Sequence, residues 1–245
     1  MRAIIFGGYG VFGSLVSKEL ARLGVRVTVA GRDASRAAAL AASLGEGHRG
    51  IAADVTRPDS CRAALDGQCV AVNCAGPFDA LGETLLDACL DRGVHYADIA
   101  DDRSYANLVR SHGARFAAKD LAAVYGCSSL PGISGALALA AREGGDAPPK
   151  HLRVTLFIGN DNPKGEAAVA SAVRLIGRPF SAPQGTLIGF RDPEEVELPA
   201  PFGRRTVYNF ESPDYDISCE LLGVPSVSVK VGFEMRTATA AFGLL

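Results

Sequence analysis

The stretch best suited to chemistry lies at the front of the chain, where residues 7–16 read GGYGVFGSLV. Gly8, Gly10 and Gly13 have the G-x-G-x-x-G spacing of a dinucleotide fingerprint. The first glycine permits a tight turn, the second lets a pyrophosphate approach the backbone, and the third lets the helix pack on the sheet. A helix starting there also offers unpaired N–H donors and the positive end of its dipole. Spacing alone is weak in a chain with 28 glycines, but here the motif joins an apolar run at 2–6 to a helical pattern at 11–23. The backbone amides of Tyr9–Phe12, Val11 among them, are therefore expected to hold a pyrophosphate, and a side chain at Gly10 would fill the space it needs.

The choice of dinucleotide is read at the end of the second strand, where an acid holds a ribose 2′-hydroxyl and an arginine accommodates a 2′-phosphate. That strand runs into Gly31-Arg32-Asp33. Arg32 takes the diagnostic place, while Asp33, one residue later, suits the N-cap of the next helix. NADP(H) is expected over NAD, against the alternative that Arg32 is a solvated surface charge. Two later strand ends point to the same crevice, since ligands of open parallel sheets lie beyond the carboxyl ends of the strands. Asp54-Val55 is placed for the adenine, and the small-residue loop of Asn73, Cys74, Ala75, Gly76 and Pro77 for the ribose or nicotinamide.

Hydride transfer needs orientation, a polar partner for developing charge and exclusion of water, and no obligatory catalytic side chain. The catalytic residues are accordingly unknown. Substrate candidates are His95 and Asp98, on opposite faces of a strand in GVHYADIADD, with Asp101 and Asp102 reading more readily as helix capping. Ser128 and Ser129 follow the sixth strand, and Lys164, Arg204 and Arg205 are possible carboxylate clamps, each also readable as a solvated charge. A Tyr-x-x-x-Lys pair is missing: four residues after Tyr9, Tyr96, Tyr105, Tyr125, Tyr208 and Tyr215 stand Gly, Ala, Val, Ser, Ser and Cys. The short-chain dehydrogenase arrangement, in which Lys lowers the Tyr pKa, is thereby excluded. Six cysteines without a C-x-x-C pair and four histidines without H-E-x-x-H spacing leave zinc no evident site, so free and mostly buried thiols are expected.

These residues must be positioned by alternating elements. Strands are expected at 2–6, 25–30, 49–52, 69–73, 94–99 and 121–126, with helices at 11–23, 33–44, 58–65, 80–91, 103–118 and 133–142 between and after them. Such alternation implies right-handed crossovers and a doubly wound parallel sheet, an α/β Rossmann domain over 1–146. The run 144–149, GGDAPP, reads as a junction. From 147 to 245 the texture is that of a smaller α+β domain with a mixed or antiparallel sheet, with strands at 152–158, 186–190, 205–210 and 226–233 and a helix at 166–176. Its apolar end, MRTATAAFGLL, reads as a helix left unfinished.

At 245 residues, 48% hydrophobic and 21% charged, the chain has the composition of a soluble globular protein. A net charge of -2 without a basic stripe argues against nucleic acid. No apolar stretch reaches the roughly 18 residues of a membrane span. The start lacks the regions of a signal peptide, so a cytoplasmic location is expected.

Taken together, GGYGVFG, AGRDASRAAALAASLG, AVNCAGPFDALGETLLDACLDRGVHYADIADD and GCSSLPGISGALA resemble the saccharopine dehydrogenase-like oxidoreductases, over about residues 1–142. The later GRRTVYNFESPDYD and VPSVSVKVGFE resemble the bacterial branch of that group. The resemblance implies an NADP-dependent Rossmann domain followed by a domain that dimerises and closes over a small-molecule substrate. It further implies hydride transfer at an imine, secondary amine or carbonyl centre. LPGIS stands where the saccharopine-forming enzymes read a DPG-type loop, so the resemblance carries the reaction class and not an amino-diacid substrate. The rival from another class is a non-catalytic module that senses NADP(H), because a fold does not certify a reaction.

Overall fold

The structure is a computed structural model that describes residues 1–143 and 149–235; most of the expected junction and the apolar C-terminal end lie outside the described residues. The chain divides into two compact units, Met1–Cys127 with Pro163–Ala168, and Ser128–Asn162 with Val169–Leu245.

In the first unit β1 (Arg2–Phe6) leads into α1 (Val11–Arg22), followed by β2 (Arg26–Gly31), α2 (Ala34–Ser43), β3 (Arg49–Ala52), α3 (Pro58–Ala64) and β4 (Val70–Asn73). Then come α4 (Thr84–Arg92), β5 (His95–Asp98), α5 (Arg103–Ser111), α6 (Gly113–Ala117) and β6 (Ala123–Val124). The six strands form one sheet in the order β3-β2-β1-β4-β5-β6, every pair parallel. This is the doubly wound order whose direction reverses between β1 and β4, opening a crevice at the carboxyl ends of those two strands. Beyond their exposed first residues, β1 and β2 are buried throughout, as strands covered by helices on both faces must be. Ile4, Phe6, Leu65, Leu85 and Tyr96 pack on one face, Ile5, Val27, Val29 and Ala37 on the other.

Two expected helices differ. The region from 80 starts with a 3₁₀ turn, Phe78–Ala80, and the helix begins only at Thr84. The span 103–118 is two helices, with buried His112 closing α5, its Nδ1 lying 3.0 Å from the Leu108 carbonyl oxygen. All six thiols are free, but only Cys61 and Cys89 are buried, while Cys69 and Cys127 are exposed. The expectation of mostly buried thiols is thus corrected, because Cys69 and Cys127 lie at strand ends where the sheet meets solvent.

The second unit holds α7 (Ser134–Glu143), β7 (Leu152–Ile158), most of α8 (Glu166–Arg174), β8 (Pro179–Ala182) and β9 (Gly185–Ile188). It continues with β10 (Glu194–Leu198), β11 (Gly203–Asn209), α9 (Asp214–Leu222) and β12 (Val227–Phe233). A mixed sheet in the order β10-β11-β12-β7 pairs β12 parallel to β7 and the rest antiparallel, with β8 and β9 as a separate hairpin. Phe190, Tyr215, Val227 and Val229 lie in its core. Among the described residues no helix is long and apolar enough to cross a membrane.

Candidate functional site

The crevice between β1 and β4 is built by close backbone approach. A Cβ on Gly7 would lie 2.7 Å from the Ala75 nitrogen, and one on Gly13 only 2.1 Å from the Gly7 carbonyl oxygen. The turn after β1, the first helical turn and the loop after β4 are therefore in contact. Gly10 is different, for a Cβ there would meet only the Gly7 carbonyl oxygen, at 3.1 Å. The Gly10 N–H donates to that same oxygen, so of the four expected amides this one is already used. Gly10 caps α1 without a side chain, leaving the Val11 and Phe12 N–H groups without an acceptor among the described residues. An uncapped helix start beside a bare, outward-facing glycine suits a pyrophosphate.

Tyr9 spans from this turn to the end of β2. Its ring lies over Gly31, where a Cβ would stand 2.4 Å from Cε1, and its hydroxyl accepts from the Asp33 N–H at 2.9 Å. The Arg36 guanidinium lies 4.6 Å from the ring centroid, a cation–π distance. Asp33 caps α2 by accepting from the Arg36 N–H, the role expected of it. Arg32 is exposed with no hydrogen-bond partner among the described residues. Arg32 and Arg36 thus stand at the strand end where a 2′-phosphate is read, and the residues present fit NADP(H). The Tyr9 bridge and Arg36 are what sequence reasoning missed; the available signal was a large ring in the motif facing a glycine at the end of β2.

The other candidates divide. The Asp54 carboxylate accepts from the Thr56 N–H and hydroxyl, which hold it below its ordinary range with a smaller contribution from Arg32 and Arg57. Val55 packs half-buried against the core. Asn73 is fully buried: its Nδ2 donates to the hydroxyls of Tyr105 and Tyr96 at 3.2 and 3.4 Å, and its Oδ1 accepts from the Ala75 N–H. It shapes the loop through Gly76 and Pro77 from beneath. The two tyrosine hydroxyls are 2.9 Å apart, and burial pushes Tyr105 up to about 12 and raises Tyr96 well above its ordinary value, so both remain protonated. Burial likewise pushes the Cys74 thiol up to about 12, which leaves it a poor nucleophile.

His95 opens β5 at the opposite edge of the sheet, where its Nδ1 accepts from the Ala122 N–H; the structure does not bring it to the crevice. Asp98 ends the same strand, fully buried, and its Oδ1 accepts from the Ala100 and Gly126 N–H groups. Asp102 caps α5. Lys164 belongs to the segment Pro163–Ala168, whose Gly165 lies beside α1, within 4 Å of the Phe12 ring for an added Cβ. Ser128 and Ser129 belong to the second unit. There the Arg204 guanidinium faces Glu195 and Glu197, while Arg205 donates one guanidinium N–H to the Arg204 carbonyl and keeps its Nε buried without a hydrogen-bond partner among the described residues. That unit also holds a buried carboxylate absent from the sequence reading: Asp214 accepts from the hydroxyls of Ser134 and Ser212.

Asp98 gives a pH test. Burial raises its carboxyl above the ordinary range, against the pull of Gly126, Ala100 and the nearby Tyr96 hydroxyl, and its Oδ2 is buried without a hydrogen bond of standard geometry. The folded chain therefore holds this proton more tightly than the unfolded chain. That contribution is full below the unfolded value of about 4 and is lost as pH rises through the raised value. Asp98→Asn keeps an Oδ1 acceptor for both amides and removes the titration. Urea unfolding across this range is expected to show the balance moving toward the variant as pH rises; a constant difference would mean an ordinary carboxyl. Asp98→Ala strands both amides and is expected to cost about 1–3 kcal/mol at any pH.

Comparisons with known proteins agree with this geometry. A protein named "Putative trans-acting enoyl reductase" from Mycobacterium tuberculosis is 31% identical over 153 residues, 58% of this chain and 36% of that protein. The trans-acting enoyl reductase of Mycobacterium leprae is 27% identical over 130 residues, 51% of this chain and 31% of that one. The chain thus spans about a third of the length of the curated relatives it matches. Among solved structures, apo saccharopine dehydrogenase (L-Glu forming) from Saccharomyces cerevisiae superposes with a TM-score of 0.68 at 15% identity, covering 95% of this chain and 54% of that one, and so shares the fold. The model of the saccharopine dehydrogenase NADP binding domain matches residues 3–124, which identifies NADP(H) as the cofactor of the first unit. By the strand order, the glycine crevice and this match, the chain belongs through its first unit to the saccharopine dehydrogenase NADP binding domain family.

Proposed function

We propose that this chain is the cofactor-binding part, with some substrate-facing structure, of an NADP(H)-dependent oxidoreductase that reduces or oxidises a small metabolite. The observation that carries this reading is the crevice at the β1/β4 reversal, with Gly10 open to it, the uncapped α1 start behind it and Arg32 at the end of β2. Bound NADPH would supply the hydride. The chain's own residues then bind and orient: the Tyr9, Val11 and Phe12 amides take the pyrophosphate, and Gly8 and Gly13 keep turn and helix close. Arg32 reads the 2′-phosphate beside Gly31, Asp54 and Val55 border the adenine, and the Asn73–Pro77 loop borders the nicotinamide side. Buried Asn73, Tyr96 and Tyr105 fix that loop in neutral form.

We assign nucleotide binding to the first unit and substrate covering and self-association to the second. The acceptor is a carbon–nitrogen or carbonyl centre, and the names of the mycobacterial relatives add an activated carbon–carbon double bond to the acceptors worth trying. The experiment supplies NADPH deuterated at C4 with an imine, a ketone and an enoyl thioester in turn. Deuterium in one reduced product supports the reading; NADPH binding without transfer to any of the three favours a sensor. A homodimer is expected to form through the second unit, whose β7 strand closes one edge of its mixed sheet and leaves an edge to cover. Light scattering at micromolar concentration should report twice the chain mass of 25.4 kDa; a monomer would remove this expectation.

A further inference from the structure

The edge of the first unit's sheet opposite the crevice carries three arginines that the proposed cofactor does not use. Arg2, Arg26 and Arg49 each open a strand, β1, β2 and β3. In the parallel register Arg2 pairs with Arg26 and Thr28 with Arg49, and residues two apart in a strand share a face. All three arginines and Thr28 therefore project from one face, at the lower margin of the core built on Ile4 and Phe6.

That margin is polar where a core edge would be apolar. Thr28 and Gln68 are buried, at 4% and 9% exposure, and the Thr28 hydroxyl accepts from Gln68 Nε2 at 3.2 Å and from Arg49 Nε at 3.1 Å. Gln68 Oε1 is buried with no hydrogen-bond partner, an arrangement that calls for a donor from outside the described residues. A cavity of about 370 Å³ opens here, lined by Arg2, Arg26, Arg49, Thr28, Gln68 and Asp66. The glycine turns on either side leave room for the guanidinium groups: a Cβ on Gly67 would lie 3.8 Å from Arg2 Nη2, and one on Gly47 3.9 Å from Arg26 Nε.

Arg2 and Arg26 have no ion-pair or side-chain hydrogen-bond partner among the described residues. Like charges at paired positions of neighbouring strands repel. Three guanidinium groups and one carboxylate leave a surplus of two positive charges around a cavity with a hydrogen-bonding floor. Guanidinium forks match the oxygens of a phosphate, and an acidic hydroxyl on the anion would satisfy the orphaned Gln68 oxygen. We propose that the cavity between Arg2, Arg26 and Arg49 is a binding site for a small phosphate anion, either the free ion or the phosphate group of a small metabolite, separate from the cofactor crevice.

The test uses Arg26→Gln, which keeps a polar hydrogen-bonding side chain at this exposed position and removes the charge. Phosphate stabilises proteins unspecifically by exclusion from their surface, so parent and variant are melted side by side in potassium phosphate and in potassium chloride of matched ionic strength. In chloride the variant is expected to melt at or above the parent, because repulsion is relieved; in phosphate the order should reverse. Calorimetric titration with inorganic phosphate should find a site in the parent that weakens about tenfold or more in the variant. The same site should persist in Gly10→Val, which alters only the crevice. Glycerol phosphate binding more tightly than inorganic phosphate would identify a metabolite, and the opposite order the free ion. A salt response identical in parent and Arg26→Gln, or a phosphate site lost in Gly10→Val, would overturn the proposal.

Discussion

Gly10→Val is expected to leave a folded protein that has lost NADPH binding by at least about tenfold, and Gly13→Ala to damage the fold itself. The difference follows from what an added carbon would meet. At Gly10 the nearest atom is the Gly7 carbonyl oxygen at 3.1 Å, a contact that shifts of a few tenths of an ångström relieve, and the side chain then stands in front of the α1 start. The Val11 and Phe12 amides remain but become covered. Losing one charge-assisted hydrogen bond costs about 1.5–3 kcal/mol, and each 1.4 kcal/mol is about a factor of ten in affinity. At Gly13 the added carbon would sit 2.1 Å from the Gly7 carbonyl oxygen and 2.9 Å from the Gly8 Cα, so α1 must move off the sheet. Overpacking of this kind costs about 1–3 kcal/mol and more where backbone cannot yield. Calorimetry with NADPH and urea unfolding on both variants separate the two roles. Unchanged affinity in folded Gly10→Val would remove the pyrophosphate assignment, while wild-type stability in Gly13→Ala would mean that the turn is looser than described.

Much of the first unit is legible in the sequence because parallel strands covered on both faces are short apolar runs. RAIIF carries its own boundaries, the second strand is displaced by one residue from 25–30 to Arg26–Gly31, and all six expected strands are present, the last reduced to Ala123–Val124. The second unit is less so. β10 reads EEVEL and looks like a polar loop, yet it is an edge strand whose glutamates face arginines such as Arg204, the charge pattern that discourages edge-to-edge pairing. Helix α9, DYDISCELL, hides because it buries Asp214 and Ser218 on the face where apolar residues are sought. In the site, side but not depth was readable. The position of Asn73 and Asp98 at strand ends follows from alternation, but both turn inward to satisfy backbone amides and tyrosine hydroxyls that come from other elements. Such partnerships arise from tertiary neighbours that spacing along the chain does not encode.

Arg32→Ala is expected to weaken NADPH by roughly tenfold to a hundredfold and to change NADH little. A guanidinium carries fixed donors that fit a phosphate and can also lie flat against an adenine. No acid competes for the place, since the neighbouring Asp33 is turned into α2 as its N-cap and holds the Arg36 N–H at 3.0 Å. Asp54 feels the charge of Arg32, so removing the arginine should also let the Asp54 carboxyl rise slightly toward its ordinary value. Arg36 is a second cation within reach of the same strand end, held over Tyr9 at 4.6 Å from its ring centroid. The two can share the 2′-phosphate, in which case each single variant loses less than the pair. Calorimetry with NADPH and NADH on the parent, Arg32→Ala, Arg36→Ala and the double variant decides among these. A parent that prefers NADH, or an Arg32→Ala variant that loses both nucleotides equally, would make Arg32 a surface charge. A loss confined to Arg36→Ala would move the reading of the 2′-phosphate one helical turn along α2, to the cation that Tyr9 holds in place.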